Sequence, residues 1–170
     1  MIKFILGDSL QQEEIYRNKY EKAISTMPEW IINYLGIPYR HLGNDLKSGI
    51  DCGNLCAKVI YDQTGEDFNT HTWDHCDIVE ETWYNKTHER VMENFFQNEK
   101  NNFIEVDILQ PFDIILMNIG SSNIANHCAL YIGNNKMLQT MVDHTSWISP
   151  YGKWYKRYTM GVYRWKNFDF

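Results

Sequence analysis

The stretch SGIDCGNLCAKVIYDQTG, residues 48–65, sets the fold and raises the functional question. Asp51 precedes a run whose apolar residues recur at helical spacing, and Gly65 closes it, so residues 51–65 read as one helix. Cys52 then stands at the helix mouth and Cys56 one turn further in, on the same side. Two cysteines at this spacing suit a metal clip, half of a disulfide pair, or a nucleophile beside a core residue. A helix N-terminus favours the last, because its unpaired N–H groups and macrodipole stabilise a thiolate and can receive an oxyanion. The plainer reading is that both are small buried hydrophobes. Spacing alone does not choose between them.

The rest of the chain narrows the choice. At 170 residues it suits one domain with a core of its own. A net charge of −6 argues against a grip on nucleic acid and gives no basic patch for a membrane surface. No apolar run approaches the roughly 20 residues needed to span a bilayer. The opening MIKFILGDSLQQEE does not read as a signal peptide, since its apolar core is short and acids follow at once. Four cysteines in a chain of this size make a disulfide framework unexpected.

The order of elements points to an α+β domain. MIKFIL reads as a strand or arm, SLQQEEIYRNKYEKAISTM as a helix capped at Ser9, and PEWIINYLG as a helix started by Pro28 and stopped by Gly36. Residues 37–50 read as a loop punctuated by Gly43 and Gly49, and residues 77–100 as a helix whose acids, around Glu80 and Glu93, form solvated faces. After that the period shortens. IEVDI, DIILMNI, HCALYIG, KMLQTMV, TSWIS and MGVYRW read as strands, with GNN making a tight hairpin between the third and fourth. Helices followed by strands imply helices packed on a C-terminal antiparallel sheet. Residues 1–27 read as an N-terminal extension and residues 28–170 as the main domain.

A nucleophile needs a base. His127 opens the strand HCALYIG, and alternation puts it on one face with Ala129 and Tyr131. Taking GNN as the loop sets Ala129 opposite Gln139, so His127 and Gln139 become diagonal neighbours. A polar group there can fix the imidazole's orientation and tautomer. A half-exposed surface histidine is the plain alternative.

Two other signals lead elsewhere. GDSL at residues 7–10 matches the block that names a serine esterase family, but no histidine follows an Asp at the spacing those enzymes need, and Ser9 serves as a helix cap. HTWDHC offers His71, His75 and Cys76 as zinc ligands, without the paired C-x-x-C spacing of structural sites. The expectation is no metal and no cofactor.

GIPYRHLGN and SGIDCGNLCAKVIYDQTG, followed by LQPFDIILMN and NHCALYIGNNKMLQT, resemble the NlpC family of papain-like cell-wall cysteine peptidases. The blocks lie in family order over residues 34–140, about two-thirds of the chain. The resemblance implies a papain-like α+β fold and Cys52 as nucleophile, His127 as base and Gln139 as the third member. It places Tyr39 and Asp51 at positions that line the substrate cleft. It implies a peptidoglycan stem peptide as substrate, cut between γ-D-glutamyl and a diamino acid. The chain departs from the family at Asn54, where a glycine two after the cysteine is usual, at Phe112, where P-G-D has become P-F-D, and at Gln139, where histidine is commoner.

WISPYGKWYKRYTMGVYRW, with LQPFDIILM, is most similar to the branch found in tail-tip proteins of tailed bacteriophages. This implies a virion protein made in a host cytoplasm, with other tail-tip proteins as partners. The alternative expectation is a diverged, inactive structural component of the tail.

Overall fold

The computed structural model describes residues 28–66, 90–120 and 123–166. The arm and helix expected within residues 1–27, the His71, His75 and Cys76 group, and the expected helix from residue 77 up to residue 89 lie outside them. The chain divides into two compact units, Met1–Asn33 and Tyr34–Phe170. At the end of the first, a 3-10 helix begins at Glu29 and runs to Tyr34, opened by the Ile31 N–H donating to the Pro28 carbonyl at 3.1 Å. The helix expected from Pro28 is therefore present but wound more tightly, and Gly36 follows it at φ 76°.

The second unit begins with a two-residue hairpin, β1 (Asn44–Asp45) and β2 (Gly49–Ile50). Its turn is closed by Asp45, whose Oδ1 accepts from the backbone of Lys47 and Ser48. Helix α1 (Cys52–Thr64) follows at once. Its limits are set by local chemistry. Extended Asp51 caps the start, and Gly65 at φ 77° sends its N–H back to the Tyr61 carbonyl. Leu55, Cys56, Val59 and Ile60 form its buried stripe. Each fully buried aliphatic chain there contributes about 1.5–3 kcal/mol.

Helix α2 (Val91–Asn98) precedes the sheet strands. These are β3 (Phe103–Glu105), β4 (Ile114–Met117), β5 (His127–Gly133), β6 (Lys136–Gln139), β7 (Trp147–Pro150) and, after a short helix α3 (Lys153–Tyr158), β8 (Thr159–Trp165). They form one antiparallel sheet in the order β3-β8-β4-β5-β6-β7. The arrangement is α+β, as the order of elements implied. Strand β4 lies inside the sheet and reads IILM, all four residues buried.

Three anchors hold the layers. α1 packs on β5 and β6. α2 contributes Phe95 and Phe96 to an aromatic cluster with β3 and β8. Phe96 stacks on Tyr163 with centroids 4.0 Å apart, and Phe103 meets Trp165 edge-on at 5.0 Å. The aromatic C-terminus therefore supplies core and sheet. On the third side Asp113, fully buried, binds Arg164 across the β4–β8 pair, with contacts of 2.7 Å to Nε and 2.8 Å to Nη2. This Asp is the one in PFD. Phe112 before it has φ 72°, the left-handed region where glycine is at ease and other residues are strained.

Candidate active site

The site is built where the loop before α1, the helix mouth and the first residues of β5 meet. Loop residues 38–43 are stitched to the segment that leads into α1. The Ile50 N–H donates to Pro38 at 3.0 Å, the Arg40 N–H to Ile50 at 3.3 Å, and the Asp51 N–H to Gly43 at 3.0 Å. Two glycines make this approach possible. A Cβ on Gly43 would lie 2.5 Å from the Gly49 carbonyl oxygen, and one on Gly49 (φ +127°) would lie 2.6 Å from the Arg40 Cβ. Tyr39 is half-buried in this loop. Its backbone bridges Ile50, two residues before Cys52, and its N–H donates to the His144 carbonyl.

Asp51 turns both carboxylate oxygens onto Asn54. Oδ1 accepts from the Asn54 backbone N–H at 2.7 Å and Oδ2 from its side-chain amide at 3.1 Å. Asn54, the residue that departs from the family's glycine, thus locks the helix cap. Burial raises the Asp51 carboxyl to about 6, against the lowering effect of the Asn54 hydrogen bonds and of His41 nearby.

Cys52, the first residue of α1, is half-buried. Its thiol feels both residues that open β5, the Cys128 thiol and the His127 imidazole. The neighbouring Cys128 thiol, and after it burial, push the Cys52 thiol well above its ordinary value. The His127 ring pulls the other way and loses. This runs against the expectation that the helix mouth holds a ready thiolate. Cys128 is itself pressed from behind, with Cys56 Sγ 4.0 Å from its Sγ. Cys56 is buried in the helix stripe, as a core residue one turn in should be.

His127 and Gln139 come together as the hairpin parity required. Leu130 pairs with Leu138, which sets Ala129 opposite Gln139. The turn itself has two residues, Asn134 and Asn135, at φ 51° and 53°, and a register shift between Tyr131 and Gly133 takes up the extra residue. His127 Nε2 and Gln139 Oε1 are 2.8 Å apart, with His127 4% exposed and Gln139 fully buried. The Gln139 amide is in turn fixed. Its Nε2 donates to Ser149 Oγ at 2.6 Å and to the Tyr155 hydroxyl at 2.8 Å. With both amide hydrogens so used, Oε1 is left to accept, and the His127 Nε2 carries the proton. The neutral ring then has Nδ1 as its basic nitrogen.

Three of these residues escaped sequence reading. Strand alternation points Cys128 away from His127, so the pattern gives it no role. Ser149 and Tyr155 gave no signal, since only the β6–β7 pairing and α3 bring them to Gln139. Among the described residues no group of three His, Cys, Asp or Glu side chains could hold a metal ion.

The NlpC/P60 family matches residues 36–164. No curated protein sequence matches the chain. Two solved structures share its fold. An NlpC/P60 family protein from Bacillus cereus ATCC 10987 aligns at 21% identity with TM-score 0.52, over 78% of this chain and 36% of that one. A protein similar to a lipoprotein of the NLP/P60 family, from Staphylococcus aureus subsp. aureus Mu50, aligns at 17% identity with TM-score 0.51, over 78% and 38%. This chain thus spans little more than a third of either. The NlpC/p60 domain of peptidoglycan hydrolase SagA aligns at 18% identity with TM-score 0.48, over 77% of this chain and 89% of that one. On the family match, which covers the loop, helix and strands that carry the site, the chain belongs to the NlpC/P60 family of cell-wall peptidases.

Proposed function

We propose that this chain is a cysteine endopeptidase that cuts peptidoglycan stem peptides, between γ-D-glutamyl and a diamino acid, with Cys52, His127 and Gln139 as its triad. The observation that carries this reading is the chain of contacts from the Cys52 thiol to the His127 ring and on to Gln139 Oε1. It supplies a nucleophile, a base with a free nitrogen, and a group that orients the base.

In this reading His127 takes the Cys52 proton at Nδ1 as the sulfur attacks the carbonyl carbon of the stem peptide. The Cys52 backbone N–H, at the start of α1, helps hold the tetrahedral oxyanion. His127 then protonates the leaving amine, and water, activated by the same ring, releases the acyl group from sulfur. Tyr39, in the loop tied to Ile50, and Asp51 border the cleft in which the peptide lies. Asp51 does so through the helix start it caps, since Asn54 occupies both its oxygens. Incubating the chain with purified peptidoglycan and determining the masses of the released fragments tests both the activity and the bond.

The same reading places the chain in the tail of a bacteriophage, made in the host cytoplasm and carried in the virion beside other tail-tip proteins. Its support is the sequence of the C-terminal blocks, WISPYGKWYKRYTMGVYRW and LQPFDIILM. Peptides of the chain in purified particles are the expected finding. Their absence from particles, with the chain present in host cells, would contradict it.

A second reading has a specific observation in its favour. The raised Cys52 thiol describes a site that no longer holds a ready nucleophile, as in a structural tail component with a diverged cleft. A native chain that leaves peptidoglycan intact at every pH would select this reading.

A further inference from the structure

The row that holds His127 and Gln139 continues one strand further. Trp147, the first residue of β7, is the register partner of Gln139. Residues directly opposite in an antiparallel pair send their side chains to one face, and Ser149, two places on, marks that face by accepting from the Gln139 amide. His127, Gln139 and Trp147 therefore stand in a row across one end of β5, β6 and β7. Trp147 is half-buried, and the exposed His144 leans on it, with ring centroids 5.3 Å apart and planes at 49°. His144 belongs to the turn from β6 to β7, and hydrogen bonds fasten that turn to the loop that carries Tyr39. The Tyr39 N–H donates to the His144 carbonyl at 3.1 Å, and the Ser146 N–H to the Ile37 carbonyl at 2.8 Å. Ser146 Oγ accepts from the Ile37 N–H at 2.9 Å and donates to the Tyr34 carbonyl at 2.6 Å. Trp147 and His144 thus form a fixed aromatic ledge on the Tyr39 side of the site. The hydrolytic steps use neither ring.

We propose that this ledge is a saccharide subsite: Trp147 and His144 receive the sugar ring that carries the stem peptide, so the chain recognises stems still joined to the glycan strand. The proposal rests on the reading of the chain as a stem-peptide endopeptidase, and it names the part of the substrate that lies beyond the cut bond. The chemistry suits a sugar. One face of a pyranose ring presents C–H bonds, which pack on the electron-rich face of an indole, while the hydroxyls at its rim keep their water or meet an imidazole. The spacing suits it as well. Trp147 stands two strands from His127, about 10 Å at the usual strand separation. In peptidoglycan the γ-D-glutamyl residue is joined to the sugar through one alanine and a lactyl ether. With the glutamyl carbonyl at Cys52, three extended units at about 3.5 Å each cover the same distance. The ledge is held in place by Ser146 and by the Tyr39 N–H before any ligand arrives, which cuts the ordering cost of binding.

Titration calorimetry on the full chain with Cys52→Ala reads binding apart from cleavage. Two probes differ only in the sugar: a peptidoglycan disaccharide carrying its stem peptide, and the same stem peptide capped with lactate. The expected result is about 10-fold tighter binding of the sugar-bearing probe, the order of one good aromatic contact. Adding Trp147→Ala should abolish that preference, and His144→Ala should reduce it. Trp147→Tyr, which keeps a ring, should retain most of it. A role in folding alone would weaken both probes together and leave their ratio where it was. Equal affinity for the two probes overturns the proposal and leaves the endopeptidase reading standing, and so does a preference that survives Trp147→Ala. Binding of neither probe overturns both. Circular dichroism of each variant reads folding, and Trp147→Leu replaces Trp147→Ala if the latter unfolds.

Discussion

Gln139 holds the His127 ring from the neighbouring strand, with Oε1 2.8 Å from Nε2, and is itself held by Ser149 and Tyr155 through its amide nitrogen. One side chain therefore links the candidate base to β7 and α3. Replacing Gln139 by Leu leaves a buried imidazole N–H without an acceptor, at about 1–3 kcal/mol. Urea denaturation should show that loss. Turnover of peptidoglycan should fall on the order of 10-fold or more, because the same energy no longer fixes the ring. Tyr155→Phe removes one of two acceptors of the amide and should cost about 1 kcal/mol, with a smaller fall in turnover. Wild-type turnover in Gln139→Leu would mean that the ring needs no such support.

The Cys52 thiol is held up by the Cys128 thiol beside it and by burial, so little thiolate is present at neutral pH. Alkylation of Cys52 should be slow at pH 7 and should rise with pH. In Cys128→Ala the largest cause of the upward shift is gone while the His127 ring remains. Labelling at pH 7 should then be faster than in the native chain. Peptide mapping after a timed pulse of a fluorescent alkylating agent gives both rates, and an unchanged rate in Cys128→Ala would exclude Cys128 as the cause.

Asp51 makes stability depend on acid in an uncommon direction. Burial raises its carboxyl from 3.8 to about 6, so the folded chain binds this proton more tightly than the unfolded chain does. The stabilisation from this group is complete below about pH 4 and is lost as pH rises toward 6. The full swing is roughly 3 kcal/mol by the ordinary conversion of a shift into free energy. Asp51→Asn keeps a good cap without the titration. Denaturant midpoints across pH 4 to 7 should show the difference between Asp51→Asn and the native chain growing in favour of Asn as pH rises. A difference that stays flat would mean that the carboxyl titrates normally.

Phe112 occupies a left-handed backbone position that glycine fills without strain. Its ring complicates any single substitution, so two variants that both remove it are compared. Phe112→Gly should be more stable than Phe112→Ala by about 1 kcal/mol, because only alanine keeps a Cβ at φ 72°. Thermal denaturation of the pair reads this directly, and equal stability would show that the turn relaxes.

What could be read from the sequence was what short-range chemistry decides. Asp51 and Gly65 fix both ends of α1 through hydrogen bonds within four residues, so the helix was legible to its last turn. The His127–Gln139 juxtaposition was legible because strand parity and a short turn leave few registers. Helix α3 was not. KWYKRY buries no residue and has no side-chain cap, so its helicity comes from what it joins. Tyr155 was lost with it. The hairpin β1–β2 has two residues per strand, too few to show alternation, and the segment read as loop. PEWIINYLG announced a helix at Pro28, but nothing in its pattern separates a 3-10 turn from an α turn. Cys128 was hidden by the parity that revealed His127, since the thiol faces α1 and only the packing of helix on sheet brings it to Cys52.

The central claim is that Cys52 is the nucleophile of a peptidoglycan endopeptidase, and one comparison tests it most directly. Native and Cys52→Ala chains, matched for folding by circular dichroism, are incubated with purified peptidoglycan, and newly exposed amino groups are counted over time. The account predicts steady release by the native chain and none above the blank by Cys52→Ala. Equal release by the two, or no release by the native chain at any pH, would contradict it.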